Sequence, residues 1–244
     1  MNSGSPPDHR QIFLSGFAPK RLNRPLPGLL IFDCDGVLVD SELIDARIRS
    51  ECFQAEGFAV TAEDLRNHPG ISGAGLAEMI RERFGRPIPE GFMQATRAKI
   101  MRAFTDELRA IDGVLELLGS LSMPVCVASN SHTDRVRHSL EVTGLLRFLD
   151  PHVFSATMVE RGKPAPDLFL FAAEKLGITP GDCLVLEDSV HGITAARAAG
   201  MGVIGFCGGS HCLSGHAETL TKDHDTSDPI AITGLSGSIR TARR

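Results

Sequence analysis

The chain has no tryptophan and no tyrosine, so stacking platforms for a single-stranded nucleic acid would have to come from phenylalanine or histidine. It has no excess of positive charge either. Its 25 Lys and Arg residues against 30 Asp and Glu give a formal net charge of −5, the opposite of the basic footprint that holds phosphate backbones. No nucleic-acid partner is expected. No run approaches the roughly 18–20 unbroken apolar residues of a membrane-spanning helix, so no membrane partner is expected. None of the six cysteines (Cys34, Cys52, Cys126, Cys183, Cys207, Cys212) forms a CxxC pair, and several sit inside apolar runs. They read as buried, reduced thiols of a cytoplasmic protein rather than as a disulfide framework. The N-terminal segment has only a short apolar patch, Ile12-Phe13-Leu14, among Arg10, Lys20, Arg21 and Arg24, and so lacks a signal-peptide core. Internal repeats are absent.

What is present is an ordinary globular composition, 42% hydrophobic over 244 residues, enough for one large α/β domain or a core with a small insert. Residues 1–27, with Pro6, Pro7, Pro19, Pro25 and Pro27, read as a poorly ordered extension. Then Leu29-Leu30-Ile31-Phe32 runs abruptly into Asp33-Cys34-Asp35-Gly36, a buried strand ending in a polar loop. Three later runs repeat the pattern. Pro124 to Ala128 meets Ser129-Asn130-Ser131, Cys183 to Leu186 meets Glu187-Asp188-Ser189, and Gly202 to Phe206 meets Cys207-Gly208-Gly209-Ser210. Helical patterns lie between them, stopping at Gly144, Gly177 and Gly200. Alternation of this kind predicts a doubly wound α/β fold, a parallel sheet covered by helices on both faces.

Residues 41–107 break the alternation. Glu42–Glu56, Ala74–Phe84 and Pro89–Phe104 read as helices, and Thr61-Ala62-Glu63-Asp64 as the capped start of a further short one. A helical block directly after the first strand predicts an inserted cap over 41–107, with the core made of 28–40 and 108–220. Residues 221–244, poor in apolar periodicity, read as a loose tail.

Ligands of such sheets bind beyond the carboxyl ends of the strands, where all four polar clusters fall. Asp33 and Asp35, two residues apart on extended backbone, point to one side. One carboxylate there can act as a covalent nucleophile and the other as a general acid, with Gly36 allowing a tight turn beside the ligand; ordinary Asp turn chemistry explains the same residues. Glu187 and Asp188 repel each other. A divalent cation would relieve this, and carboxylate oxygens suit Mg²⁺, although an acidic first turn of the next helix needs no metal. Ser129 can donate to a phosphoryl oxygen or cap a helix. Lys163, in Gly162-Lys163-Pro164-Ala165-Pro166-Asp167, has its loop fixed by prolines, though a lone lysine is usually surface charge. Together the clusters bring a nucleophile, an acid–base group, a hydroxyl, a cation and a metal site to one crevice. That inventory suits phosphoryl transfer.

On these motifs, Asp33-Cys34-Asp35-Gly36-Val37-Leu38-Val39-Asp40-Ser41-Glu42, Val127 to Ser131, Gly162 to Asp167 and Val185 to Ser189, the chain resembles the haloacid dehalogenase-like superfamily, subfamily I, near the β-phosphoglucomutase-like phosphatases. The resemblance covers roughly residues 28–220. It implies a Rossmann-like core with an inserted helical cap and a Mg²⁺-dependent phosphatase of a small phosphorylated metabolite, a sugar or sugar-acid phosphate. It further implies Asp33 as the nucleophile that becomes an aspartyl-phosphate and Asp35 as the acid–base group. Mg²⁺ would be held by the Asp33 carboxylate, the Asp35 carbonyl and Asp188, with Glu187 assisting. Ser129 and the Asn130 amide would bind the phosphoryl group, and Lys163 would neutralise it. The protein is expected to be a monomer or weak dimer.

Two departures separate the chain from the mutase relatives. Their cap histidine falls at Asp45, and their phosphate-binding cap arginine is missing from Gly70-Ile71-Ser72-Gly73. Both favour hydrolysis over a phosphosugar mutase. A non-catalytic phosphometabolite-binding module and a cysteine enzyme using Cys34 are the readings from other classes. A dehalogenase would need neither Asp35 nor Mg²⁺. The cap arginines Arg47, Arg49, Arg66, Arg81 and Arg83 read mostly as surface, and His132, His191 and His211 as solvated or capping loop residues near the crevice. Gly208-Gly209-Ser210-His211-Cys212 resembles a stretch in bacterial sugar-phosphatase relatives.

Overall fold

The computed structural model describes residues 27–66, 73–212, 231–233 and 240–241. The extension before Pro27 and the Gly70–Ser72 part of the cap loop lie outside the described residues. In chain order the elements are β1 (Leu29–Phe32), α1 (Glu42–Ala55), α2 (Ala62–Arg66), α3 (Gly73–Phe84), α4 (Phe92–Glu107), α5 (Val114–Ser120), β2 (Val125–Ser129), α6 (Thr133–Val142), α7 (Leu146–Leu149), β3 (Val153–Ser155), α8 (Asp167–Leu176), β4 (Cys183–Glu187), α9 (Val190–Ala198), β5 (Gly202–Phe206), β6 (Ala231–Thr233) and β7 (Arg240–Thr241).

The strands form one sheet in the order β3-β2-β1-β4-β5-β6-β7, parallel throughout except that β7 runs antiparallel to β6. All of β1 is buried because both faces are covered. Leu29 and Ile31 join Cys126, Leu168, Phe169 and Ala196 on one side, while Leu30 and Phe32 join Phe53, Phe104, Val127 and Leu140 on the other. This two-faced burial is why the strand carries four apolar residues in a row instead of an alternating pattern. Gly144, Gly177 and Gly200, which follow α6, α8 and α9, all have positive φ, as helix-ending glycines do. The fold is α/β and Rossmann-like, with chain order reversing about β1.

The insert after β1 is helical. α1 packs against α2 and α4, and α4 against core helix α6. Thr61 caps α2 reciprocally with Asp64: the Asp64 N–H donates to Thr61 Oγ1 at 3.0 Å and Thr61 N–H to Asp64 Oδ2 at 2.8 Å. The segments that enter and leave this insert run side by side, with Asp40 N–H donating to the Arg109 carbonyl at 3.0 Å and Ile111 N–H to that of Leu38 at 3.0 Å.

Most of the stretch read as a loose tail, 221–244, lies outside the described residues. Ala231–Thr233 and Arg240–Thr241, inside 221–244, are strands that extend the sheet beyond β5. The edge of β5 would otherwise leave a row of backbone donors and acceptors unpaired. β3 also went unanticipated, as three residues are too few to carry a period.

Candidate active site

Parallel pairing aligns the carboxyl ends of neighbouring strands. Phe32 pairs with Val127 of β2 and Leu186 of β4, so Asp33, Ser129, Glu187 and Asp188 all emerge on one edge. Lys163 reaches that edge from the loop before α8. Its Nζ lies 2.5 Å from Asp33 Oδ1 and 2.7 Å from Glu187 Oε2, and 4.9 Å from the centroid of Phe169. Lys163 is therefore no surface charge; it is buried with both carboxylates. Its backbone is fixed by Asn130, whose side chain accepts from Lys163 N–H at 2.8 Å and donates to Lys163 C=O at 2.9 Å. Ser129 Oγ accepts from Ser131 N–H at 3.0 Å, which uses a lone pair and leaves the hydroxyl proton to be given.

The charges at this edge do not balance. Oxygens of Asp33, Glu187 and Asp188 lie within 4.8 Å of one another, all three residues buried, against the single ammonium of Lys163. Burial, then Glu187, push Asp33 well above the usual carboxylate value against the pull of Lys163. Asp188 is pushed up by the same two causes. Lys163 goes the other way: burial alone would lower it, but Asp33 and Glu187 outweigh that and hold it charged. Three buried carboxylates facing one ammonium, presenting only oxygen donors, fit a hard divalent cation. Glu187 is already spoken for on both oxygens, since Oε1 accepts from Ser189 Oγ at 2.7 Å while Oε2 takes Lys163.

Asp35 stands apart from that cluster. Its Oδ1 accepts from Ser41 Oγ at 2.6 Å and Arg135 Nη2 at 3.0 Å, and its Oδ2 from Ser131 Oγ at 2.7 Å. Burial would raise its pKa, but Arg135 and the two hydroxyls outweigh it and hold the carboxyl below its usual value. Gly36, with φ +79°, provides the turn beside it, and a Cβ there would run into the Asp188 carboxylate. The strand-end carboxylates thus have opposite tendencies, Asp33 and Asp188 toward the proton and Asp35 away from it.

A family model for haloacid dehalogenase-like hydrolases matches residues 28–200, spanning every one of these groups. The chain belongs to the haloacid dehalogenase-like hydrolase family. It is 32% identical over 184 residues to 6-phosphogluconate phosphatase of Escherichia coli (strain K12), an alignment covering 75% of this chain and 83% of that one. A conserved haloacid dehalogenase-like protein of unknown function from Agrobacterium tumefaciens superposes with a TM-score of 0.71 at 37% identity, covering 80% of this chain and 89% of that one. A haloacid dehalogenase family hydrolase from Deinococcus radiodurans, solved with bound phosphate and sodium, gives a TM-score of 0.67 at 32% identity, covering 80% and 87%.

Within this haloacid dehalogenase-like site stand three further groups to which the sequence assigned no role there. His211 Nε2 lies 3.0 Å from Asp188 Oδ2, so it is a site neighbour instead of a solvated loop residue; its loop is held by Ser210, whose N–H and Oγ donate to Asp40 Oδ1 at 3.0 and 2.7 Å. Glu42, at the start of α1, is pushed up to about 7 by burial and by Asp35, Asp188 and Asp45. Arg135 projects from the first turn of α6. Its only sequence signal is a place six residues after Ser129, on the helix that leaves that strand end. Of the five cap arginines, Arg47, Arg49, Arg81 and Arg83 are paired with carboxylates. Cys34 is buried and burial raises its thiol well above its ordinary value, the environment of a packing residue and not of a nucleophile. Among the described residues no helix is long and apolar enough to cross a membrane.

Proposed function

We propose that this protein is a Mg²⁺-dependent phosphatase that hydrolyses a small phosphorylated metabolite, a sugar or sugar-acid phosphate, through an aspartyl-phosphate on Asp33. The observation that carries the reading is the bridge of Lys163 between Asp33 and Glu187 beside Asp188. It gathers a nucleophile, a fixed cation and a site for a divalent cation at one sheet edge. The E. coli relative, a 6-phosphogluconate phosphatase, supports a sugar-acid phosphate as the substrate class.

In the first step an Asp33 carboxylate oxygen attacks phosphorus. The bond from phosphorus to the leaving oxygen breaks, and Asp35, having taken the proton of the monoanionic substrate, passes it to that oxygen. In the second, water attacks the phosphoryl group, Asp35 takes the water's proton, and the bond to Asp33 breaks to release inorganic phosphate. The hydrogen bonds that hold Asp35 ionised suit the second role, in which it must accept. Ser129 donates its hydroxyl proton and Asn130 its backbone amide to phosphoryl oxygens, while Lys163 neutralises charge shared between Asp33 and the phosphoryl group. Mg²⁺, held by the Asp33 carboxylate, the Asp35 carbonyl and Asp188 with Glu187 assisting, would supply further charge neutralisation at the phosphoryl oxygens. Asp45, at the position of the mutases' cap histidine, is committed to Arg49 and Arg135, which supports hydrolysis over a mutase.

Phosphate release from a panel of sugar, polyol and sugar-acid phosphates, with Mg²⁺ and with EDTA, beside Asp33→Asn, tests this. Mg²⁺-dependent release that the substitution abolishes is the expected result. No release from any compound would favour a mutase or a binding module, and release surviving both EDTA and Asp33→Asn would overturn the site.

A further inference from the structure

Arg135 belongs to none of the four motifs, yet it joins the site to the cap. Its two terminal nitrogens serve different carboxylates, Nη2 at 3.0 Å from Asp35 Oδ1 and Nη1 on Asp45 Oδ2. Asp35 lies in the loop after β1, whereas Asp45 lies on cap helix α1. The guanidinium also sits 4.8 Å above the centroid of Phe104 on cap helix α4. One side chain of core helix α6 therefore touches the catalytic loop and two cap helices. The side chains of Arg135, Asp35 and Asp45 are 13%, 13% and 12% exposed, and Arg135 Nε is a buried donor with no partner. Leaving a donor unmet costs stability, so the side chain is placed for its outer fork and not for its own satisfaction.

The other two donors to Asp35 are hydroxyls, Ser41 and Ser131, which rotate freely about their C–O bonds. A guanidinium is planar and rigid. It is the donor that can set the direction of the carboxylate, and its second nitrogen anchors it to the cap.

We propose that Arg135 is a positioning residue that, bridging Asp35 to Asp45, fixes the Asp35 carboxylate where the leaving oxygen must be met and ties that placement to the seat of cap helix α1. The proposal rests on the phosphatase reading above. Asp35 delivers the leaving-group proton, which an alkoxide needs and an aryloxide largely does not. A defect in Asp35 placement must therefore discriminate between leaving groups, whereas a merely structural bridge would affect all substrates alike.

The test compares kcat/KM for an alkyl sugar phosphate and for p-nitrophenyl phosphate in Arg135→Lys, Arg135→Gln and Asp45→Asn, with folding followed by circular dichroism. For the Arg135 variants the alkyl substrate should lose about 10- to 100-fold, the range typical of residues that orient a reacting group, and the aryl substrate less than about threefold. Lysine should rescue little, since a point-charge ammonium cannot address two carboxylates through a fork. Asp45→Asn, which frees the cap end alone, should show the same selectivity at smaller amplitude. Equal losses on both substrates, or no loss, would overturn the proposal. If the Arg135 variants do not fold, because buried Asp35 loses its cation and Asp45 one of its two, Asp45→Asn decides by the same criterion. Failure of the underlying reading looks different: the unsubstituted protein would then release phosphate from neither compound.

Discussion

Asn130 grips the backbone of Lys163 at both of its polar groups, accepting from the N–H at 2.8 Å and donating to the C=O at 2.9 Å. The two residues sit at the ends of different segments, one just past β2 and the other before α8, and this pair registers them against each other. Asn130→Ala removes two hydrogen bonds, each worth a net ~0.5–1.5 kcal/mol, and releases the loop that aims Lys163 Nζ between Asp33 and Glu187. The protein should fold while its kcat falls about 10- to 100-fold, as when an orienting partner is lost. Steady-state kinetics beside a urea melt would show it; turnover within twofold of the original would mean that the loop holds itself.

Gly192 makes a sharper demand. It opens α9 under the Glu187 carboxylate, and a Cβ at this position would overlap the Glu187 side chain. Alanine is the better helix former by about 1 kcal/mol, so propensity alone predicts stabilisation. Overpacking against a buried carboxylate costs about 1–3 kcal/mol and should win. Gly192→Ala should lower the urea midpoint and, by displacing Glu187 from Lys163, also lower turnover. A raised midpoint would show that α9 can shift to make room.

Much of this was legible in the sequence because strand and chemistry adjoin in it. An apolar run followed at once by Asp33-Cys34-Asp35-Gly36, or by Glu187-Asp188, specifies both a buried strand and the groups at its carboxyl end. The parallel fold then brings them together. Lys163 was legible as a motif member but not as a buried ion, because its burial depends on Asn130, 33 positions earlier. Arg135, Glu42 and His211 were harder still. Their places at the site follow from how α6, α1 and the loop after β5 dock, which no local period encodes. β6 and β7 were missed for a related reason: three and two residues become strands because an edge is there to pair with, not because of their own pattern.

The metal-free protein should lose stability as pH rises. Asp33 and Asp188 are raised by burial and by Glu187, and Glu42 goes from its ordinary 4.5 to about 7. A raised folded-state value means that the folded form keeps a proton the unfolded form has given up. The associated stability is complete below the unfolded values near 4 and disappears as pH climbs through the folded ones, up to about 7 for Glu42. Asp35 and Asp45 are lowered and act in the opposite sense, but their loss falls below pH 4, outside this window. In EDTA the melting temperature should therefore decline between pH 5 and pH 8. Mg²⁺ should restore it more strongly at the higher pH, because a cation competes with protons for these oxygens. Glu42→Gln should remove the part of the decline that lies between about 4.5 and 7. A melting temperature that rises with pH in EDTA would contradict the charge imbalance on which the metal site was argued.

Thiol reactivity gives a test that does not depend on substrate. Cys207 is half-buried and lowered to about 7, chiefly because the Cys212 thiol hydrogen-bonds to it, with His211 helping against the effect of burial. Burial moves Cys34 and Cys126 the other way and raises Cys183 to about 11. The thiolate is the nucleophile, so iodoacetamide at pH 7.5 should modify Cys207 well before Cys34, Cys126 or Cys183, as read by peptide mass spectrometry. Cys212→Ala should slow that modification by removing the hydrogen bond. The loop carrying Cys207 also carries Ser210 on Asp40 and His211 against Asp188, so a carbamidomethyl group there crowds the support of a proposed metal ligand. Labelling should depress turnover in parallel with modification, and Cys207→Ala should be immune to the reagent. If activity instead follows modification of Cys34, the loop after β1 and not the loop after β5 is the accessible one, and the packing role of Cys34 fails with it.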